Sequence, residues 1–445
     1  MPTKPELEPT AGPRGTDRDP VLDVRDLDVH FQLQGSALSR LFGRGARTVK
    51  AVDGVSLQIG RGEVVGLVGE SGSGKTTLGR ALLGLAPATS GEISYHHSER
   101  GVRVVSDMRG KELRALRTDL QMVFQDPSAA LNPSMTIEAA VGDPLRIHGI
   151  ATGEELRARV VHALERVGLA PAQQFMEKFP RDLSGGQKQQ AVIARAIILN
   201  PEVLVADEPV SMLDMSVRAK ILQLMLDLKD DLGLTYLYIT HDLATAKFFC
   251  DRIAIMYLGR IVEIGPTEEI FANPRHPYTK ALLKAIPEPD PTRMVARDLP
   301  RGEIPDAANP PLGCAFHPRC PEAVAECGWE SRDLRAMLEQ HWTRAAGDLG
   351  DERRLIGDLD ELDRSQTEVS LGSGHAEETL ALRERVRAED PDEPLWKGVA
   401  GLAIEGKHVQ VSFESGIDPA LRRAGGVEVA CVLYPDTSAE PSTEA

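Results

Sequence analysis

A nine-residue turn leaves this chain few folds to choose from. Residues 69–77 read Gly-Glu-Ser-Gly-Ser-Gly-Lys-Thr-Thr, between an apolar run (Glu63–Val68) and a helix-forming segment (Thr77–Leu85). The pattern is G-x-x-x-x-G-K-[ST], with Gly69, Gly74, Lys75 and Thr76 in place and with the preceding strand and following helix that a phosphate cradle requires. The glycines, Gly72 among them, let the backbone curl so that the N–H groups through Glu70, Ser71 and Ser73 point inward at phosphate oxygens. The helix then presents its positive N-terminal end through Thr77. Lys75 is expected to reach the β- and γ-phosphates of a nucleotide, and the Thr76 hydroxyl to ligate Mg²⁺.

A magnesium site needs a carboxylate on a neighbouring strand. Residues 203–208 read V-L-V-A-D-E. Asp207 ends the apolar run, where it would ligate Mg²⁺, and Glu208 follows, where a base would polarise an attacking water. A helical pattern over 217–232 and a second buried strand over 235–240 come next. Strands alternating with helices of this length predict a mostly parallel sheet with helices on both faces.

The rest of the chain sets limits. Its 445 residues suggest about two or three domains, with 42% hydrophobic but only 4% aromatic residues. A net charge of −16 argues against general affinity for nucleic-acid backbones, which needs clustered cations. Mean hydropathy is −0.22 and no run of 18 apolar residues occurs, so no transmembrane helix is expected. The start has no apolar core of a secretory signal, and a cytosolic chain is expected. Its five cysteines then read as metal ligands or buried thiols rather than disulfides.

Residues 1–20, with five prolines, read as a disordered tail. Residues 21–31 and 49–59 alternate as half-buried strands, with a loop at 32–48 between them. From about 126 to 183 the pattern is helical; Leu156, Val160, Ala163, Leu164 and Val167 fall on one face. Residues 266–328 are rich in Pro, His and Cys. Residues 330–400 hold 18 acidic and 10 basic residues, a net −8, and are expected to pack only peripherally. Helices are expected near 331–340 and 376–389, a linker at 365–375, and strands at 399–413 and 427–434 that pair with each other.

Residues 183–187 read L-S-G-G-Q before a helical segment, a second anion-binding helix start. A second cradle suggests that two chains share each nucleotide. At this point the sequence resembles the ATP-binding subunits of ABC transporters, from about Val21 to Leu283. The resemblance implies a P-loop at 69–77, a Q-loop glutamine at Gln125, and a signature at Leu183–Gln187 with Ser184, Gly185, Gly186 and Gln187 facing nucleotide. It further implies a catalytic glutamate at Glu208 after the Mg²⁺ ligand Asp207, a D-loop S-M-L-D (211–214) with Asp214, and a switch histidine at His241. Gln125 also joins the Mg²⁺ ligands on this reading, and Phe31 is the candidate for stacking on adenine. Departures are Lys188-Gln189-Gln190 after the signature and Met212 and Met215 in and beside the D-loop; none removes a catalytic group.

Within that family, D-P-S-A-A-L-N-P onward (126–149) and R-H-P-Y-T-K-A-L-L-K-A-I (275–286) resemble the oligopeptide/dipeptide/nickel importer branch. In that branch a tail with Cys314, Cys320, Cys327 and Cys431 looks like a [4Fe–4S] ligand set. Structural Zn²⁺, with His317 or His341 in place of one cysteine, and unligated thiols remain alternatives. About a hundred residues separate Cys327 from Cys431. Cys250, in an apolar stretch, reads as a core thiol.

The resemblance thus implies an α/β fold: a RecA-like P-loop ATPase core of ABC type with an antiparallel β-subdomain and a helical subdomain, plus a small Cys-rich C-terminal domain. The expected order is a tail (1–20), the ATP-binding domain (21–265, helical subdomain about 126–183), a peptide-importer-type extension (266–329), an acidic insertion (330–420) and a terminal segment with the fourth cysteine (421–445). The implied role is an ATPase powering uptake of di- or oligopeptides, with nickel or oligosaccharide as alternative cargo. A soluble ABC ATPase outside transport is the alternative of another class. Implied partners are a second ATPase subunit (paralogue or self), two membrane permeases and, through them, an extracytoplasmic solute-binding protein, with the chain peripheral on the cytoplasmic face of the membrane and no nucleic acid involved.

Overall fold

The computed structural model describes residues 18–33, 48–286, 302–344, 350–357, 359–362, 365–371 and 375–434. The tail expected before residue 18, the loop expected at 34–47, part of the linker expected at 365–375 and the terminal segment after 434 lie outside them. The chain divides into two compact units. The first runs to Asn273 and takes in Gly426–Glu428; the second comprises the remainder from Pro274.

The first unit is built on β1 (Pro20–Gln32), β2 (Thr48–Gly60), β3 (Val64–Val68), β4 (Ser90–His97), β5 (Gly101–Val104), β6 (Leu120–Val123), β7 (Val203–Asp207), β8 (Thr235–Thr240), β9 (Arg252–Tyr257) and β10 (Arg260–Pro266). One antiparallel sheet runs β2-β1-β4-β5. The alternation read in 21–31 places Leu22 opposite Ile59 and Val24 opposite Leu57, all buried, which is what a strand with one covered face demands. The larger sheet contains the order β10-β9-β3-β8-β7-β6. Its pairs from β9 to β6 are parallel, and β10 returns antiparallel on β9. Every residue of β3, β7, β8 and β9 is buried, because strands covered on both faces need continuous apolar runs rather than alternation.

Helix α1 (Lys75–Leu82) follows β3. Helices α2 (Ile137–Ile147), α3 (Gly153–Arg166) and α4 (Gly185–Ile197) pack on one another, and the predicted face of Leu156, Val160, Ala163, Leu164 and Val167 is buried. α5 (Met215–Leu232) ends at Gly233, φ +66°, the left-handed cap that glycine adopts without strain. α6 (Leu243–Phe249) lies between β8 and β9. Cys250 is a core thiol: a Cβ on Gly66 would sit 2.7 Å from its sulfur, and burial raises its pKa well above the usual range. Among the described residues no helix is long and apolar enough to cross a membrane.

The second unit begins with α7 (Pro277–Lys284) and includes α8 (Ser331–Arg344), β11 (Glu368–Leu371), α9 (Ala376–Glu389), β12 (Val399–Glu405) and β13 (His408–Phe413). The strands form a sheet ordered β11-β13-β12, antiparallel throughout. The strand pairing differs from expectation. The 399–413 segment folds back on itself as β12 and β13, while Val427 belongs to the first unit, where it fills the space over Gly265. The stretch expected to be a linker contributes β11.

The acidic segment also buries more than its charge suggests. Leu334, Leu338, Trp342, Ile356, Leu382, Val386, Trp396, Val409, Val411 and Phe413 are all buried. Apart from Glu330, Asp333 and Arg383, which are buried, its described charged residues are partly or fully exposed around this aliphatic and aromatic interior. One end is fastened to the cysteine segment, Ile417 N–H donating to the Glu326 carbonyl (2.8 Å), and within the acidic segment Ser331 N–H donates to the Gln366 carbonyl (2.9 Å). Trp329 lies against Gly398, where a Cβ would come within 2.0 Å of the indole. Gly398→Val is therefore expected to destabilise the second unit by about 1–3 kcal/mol through overpacking. All three tryptophans (329, 342 and 396) lie in this unit, so a fall in the melting midpoint followed by tryptophan fluorescence checks it; an unchanged midpoint would contradict the packing.

Candidate active site

β3 delivers the chain into the phosphate turn, and the turn is shaped by close backbone approach. A Cβ at Gly69 would lie 2.1 Å from the Met256 carbonyl oxygen, and one at Gly74, φ +102°, 2.0 Å from that of Ala51. Only glycine fits either position. Ser73 N–H bonds the Glu70 carbonyl (3.2 Å), and the Ser73 carbonyl accepts from Gly259 N–H (2.9 Å). Lys75 is buried, and its Nζ donates to the carbonyls of Gly69 and Glu70 (both 2.8 Å) and to Ser73 Oγ (3.3 Å). Burial pushes its pKa down, against the opposing pull of Glu208 and Asp207. A buried ammonium held on neutral carbonyls at a helix start fits an anionic phosphate.

At the end of β7, Asp207 is buried and its Oδ1 accepts from Thr76 Oγ1 at 3.0 Å. Desolvation raises its carboxyl pKa, with Thr76 only partly opposing the rise and Glu208 adding to it. A buried carboxylate beside a hydroxyl and a second carboxylate is a donor set that suits Mg²⁺, so the residues fit the ion that the sequence implied.

Glu208 turns the chain out of the strand with φ +46°, a conformation that costs a non-glycine residue about 1–3 kcal/mol and persists only where surroundings hold it. Here its N–H bonds the Ile239 carbonyl (2.9 Å), and its own carbonyl accepts Ser211 N–H (3.2 Å) and Ser211 Oγ (3.0 Å). The carboxylate is held between two side chains: Oε2 accepts from Gln125 Nε2 at 3.1 Å, and Oε1 lies 3.0 Å from His241 Nδ1. The structure therefore brings together Lys75, Thr76, Asp207, Glu208, Gln125 and His241.

The other sequence candidates stand apart from that network. Ser184 caps α4, its Oγ accepting from Gln187 N–H (3.3 Å) while Gln187 Oε1 accepts from Ser184 N–H (3.0 Å). This reciprocal box fixes Gly185 and Gly186 at an open helix start. A Cβ on Gly186 would sit 2.7 Å from a Val217 methyl, so the signature packs on α5. Asp214 caps α5 through Val217 N–H (3.0 Å), the bond that chiefly lowers its pKa. Phe31, opposite Val49 at the end of β1, is 44% exposed, as an aromatic that stacks on a ligand must be. Sequence reasoning placed Ser211 in the D-loop without a role of its own and missed Arg218 and Asp242. The one available signal was the Asp at the start of α6, a strong helix cap.

In the second unit, Cys314, Cys320, Cys327 and Cys431 are all buried and form no disulfide. Burial pushes Cys320 up to about 12 and Cys431 to about 11, and raises Cys314 and Cys327. Cys327, Cys431 and Cys320 each add to the rise at Cys314, so the four thiols share one neighbourhood. The Cys314 N–H donates to the Cys327 carbonyl at 3.0 Å. The histidines considered as zinc ligands are engaged elsewhere. His317 Nδ1 lies 2.9 Å from the Cys314 carbonyl and its Nε2 3.0 Å from Asp333, while His341 lies between Glu352 and Glu389. His276 opens the H-P-Y-T stretch, caps α7 through Tyr278 N–H (3.1 Å) and is held neutral by burial, its pKa lowered to about 3. Phe316, between the first two cysteines, packs on Tyr278 at 5.2 Å.

Residues 52–211 match the ABC transporter family, and residues 262–327 match the oligopeptide/dipeptide transporter C-terminal region. The chain is 45% identical over 323 residues to a Brucella ovis protein named for peptide import and ATP binding, covering 73% of this chain and 96% of that one. It is 44% identical over 313 residues to the oligopeptide transport ATP-binding protein OppF of Escherichia coli, covering 70% of this chain and 91% of the relative. The same-named protein of Salmonella typhimurium is 44% identical over 331 residues, covering 74% and 95%.

Proposed function

The chain belongs to the ABC transporter ATP-binding proteins of the oligopeptide transport group, and from that premise we propose how its residues serve as the ATPase subunit powering a peptide importer. The observation that carries the reading is the Glu208 carboxylate held between Gln125 and His241, directly after the Thr76–Asp207 pair. Lys75 and the inward N–H groups of 69–74 bind the phosphates. Thr76 and Asp207 would hold Mg²⁺, which when bound would supply positive charge to the phosphate oxygens. Glu208 accepts a proton from the attacking water, and His241 and Gln125 orient the carboxylate for that transfer.

Phe31 stacks on adenine, and the helix start at Ser184–Gln187 with Asp214 serves the nucleotide of a second ATPase subunit, identical or paralogous. Met212 and Met215, 63% and 85% exposed, support a covered face beside Asp214, since bare methionines suit an interface. A groove of about 160 Å³ lined by Leu85, Phe124, Met122, Pro144, Val192 and Arg195 supports docking of membrane permeases at the cytoplasmic face. Purified with its permeases and a peptide-loaded binding protein, the chain is expected to hydrolyse ATP faster than without peptide. Peptide-independent hydrolysis with no uptake into vesicles would sink the importer reading.

In the second unit the four cysteines would hold a [4Fe–4S] cluster in a small Cys-rich domain. Their shared burial suits a group whose charge offsets four thiolates. Zn²⁺ is the poorer fit: Zn–S bonds of about 2.3 Å hold sulfurs about 3.8 Å apart. Among the described residues the one set of three potential ligands within 4.8 Å of each other is Asp28, His30 and Asp53, where Arg260 and Lys50 already pair with Asp53.

A further inference from the structure

The loop from Glu208 to α5 is tied at both ends. Ser211 holds the Glu208 carbonyl, and Asp214 caps α5. One turn into α5, Arg218 reaches back. Its Nη1 lies 3.1 Å from Asp242 Oδ2 and its Nη2 3.5 Å from the Leu213 carbonyl. Asp242 is the residue after His241. Its Oδ1 caps α6 by accepting Ala244 N–H (2.9 Å), and its own N–H donates to Thr240 Oγ1 (3.0 Å). His241 in turn lies 3.0 Å from Glu208. The Arg218 guanidinium thus closes a ring that runs from Glu208 through the loop to Asp242, His241 and back to Glu208.

The outer side of the same loop is bare, with Met212 and Met215 largely exposed. Arg218 bonds both the Leu213 carbonyl of that loop and Asp242 in the turn bearing His241. We propose that Arg218 is a positioning residue coupling engagement of the 211–214 loop by the second ATPase subunit to the placement of His241 on Glu208. The inference rests on the reading above that two subunits share each nucleotide. Both partners of the Arg218–Asp242 pair are about one-third exposed (31% and 32%), and exposed pairs add little stability. Its loss should therefore register in kinetics rather than in folding.

The test compares wild type, Arg218→Met, Arg218→Lys, Asp242→Asn (which retains the cap) and the Met/Asn double variant. Each is assembled as the full chain with its partner ATPase and membrane subunits. For Arg218→Met, kcat is expected to fall by about 2–30-fold, the range for residues that carry coupling without touching ligand. KM for ATP should stay within about twofold, since ground-state binding is untouched. Two subunits sharing each nucleotide should give wild type a sigmoidal dependence on ATP, which Arg218→Met should flatten, while the melting midpoint should hold. Arg218→Lys should recover part of kcat, and the double variant should be no slower than the slower single, because both remove one link. Wild-type kcat and cooperativity in Arg218→Met, or additive losses in the double variant, would overturn the inference. A wild-type complex that binds ATP without hydrolysing it would instead overturn the functional reading beneath it.

Discussion

Glu208→Gln is expected to leave ATP bound and almost unhydrolysed, with turnover lower by about 10²–10⁴-fold, the usual range for loss of a general base. The substitution is nearly isosteric, and the bonds that hold residue 208 in its left-handed conformation are made by its backbone, to Ile239 and Ser211. They survive the change. The amide oxygen still accepts from Gln125, so the pocket keeps its shape. What is lost is the carboxylate proposed to take the water's proton. On the same proposal phosphate binding rests on Lys75 and the turn at 69–74, which the change does not touch. Turnover in the assembled complex and nucleotide affinity, measured side by side, check this. Near-normal turnover would remove Glu208 from the role of base, and equal loss of affinity would make it a binding group instead.

The nucleotide site was legible in the sequence because its demands are local. A tight glycine turn after a buried strand, Asp-Glu at a strand end and Ser-Gly-Gly-Gln before a helix each fix their own backbone within a few residues. The meeting of Gln125, Glu208 and His241 is different. It joins positions 83 and 33 residues apart, and no spacing in the chain implies it; only the family resemblance did. Arg218 was invisible for a related reason: an arginine on a helix face is ordinarily solvated, and its partner is set by how α5 packs. The second unit was read least well. Four residues, Glu368–Leu371, are too few to signal a strand, and β13 alternates as expected without stating its partner, because pairing is a property of topology. Trp342 and Trp396 are buried in this unit, yet averaging over 330–400 records only the charge around them.

Anaerobically purified protein is expected to be brown and to contain about four irons and four sulfides per chain, as a Cys₄-ligated cube requires. Cys314, Cys320, Cys327 and Cys431 are buried together, and each thiol is held protonated chiefly by desolvation. Thiols in such a setting ionise together only when cationic charge joins them, which metal binding supplies. Cys320→Ser should bleach the protein. It should also loosen the segment around Phe316 and Trp329, because ligand bonds in so small a module are folding energy; tryptophan fluorescence reports that loosening directly. Cys250→Ser, a change in the core of the first unit, should leave the colour intact. The acidic segment is bound into the same prediction. Ile417 bonds Glu326, and Gly416 sits against Gly328, so replacing residues 335–420 with a short linker should cost the colour as well, even with every cysteine present. Colourless wild-type protein with about one zinc per chain would put a structural zinc site in the cluster's place. Full colour after the replacement would show that the cysteine segment folds without its acidic neighbour.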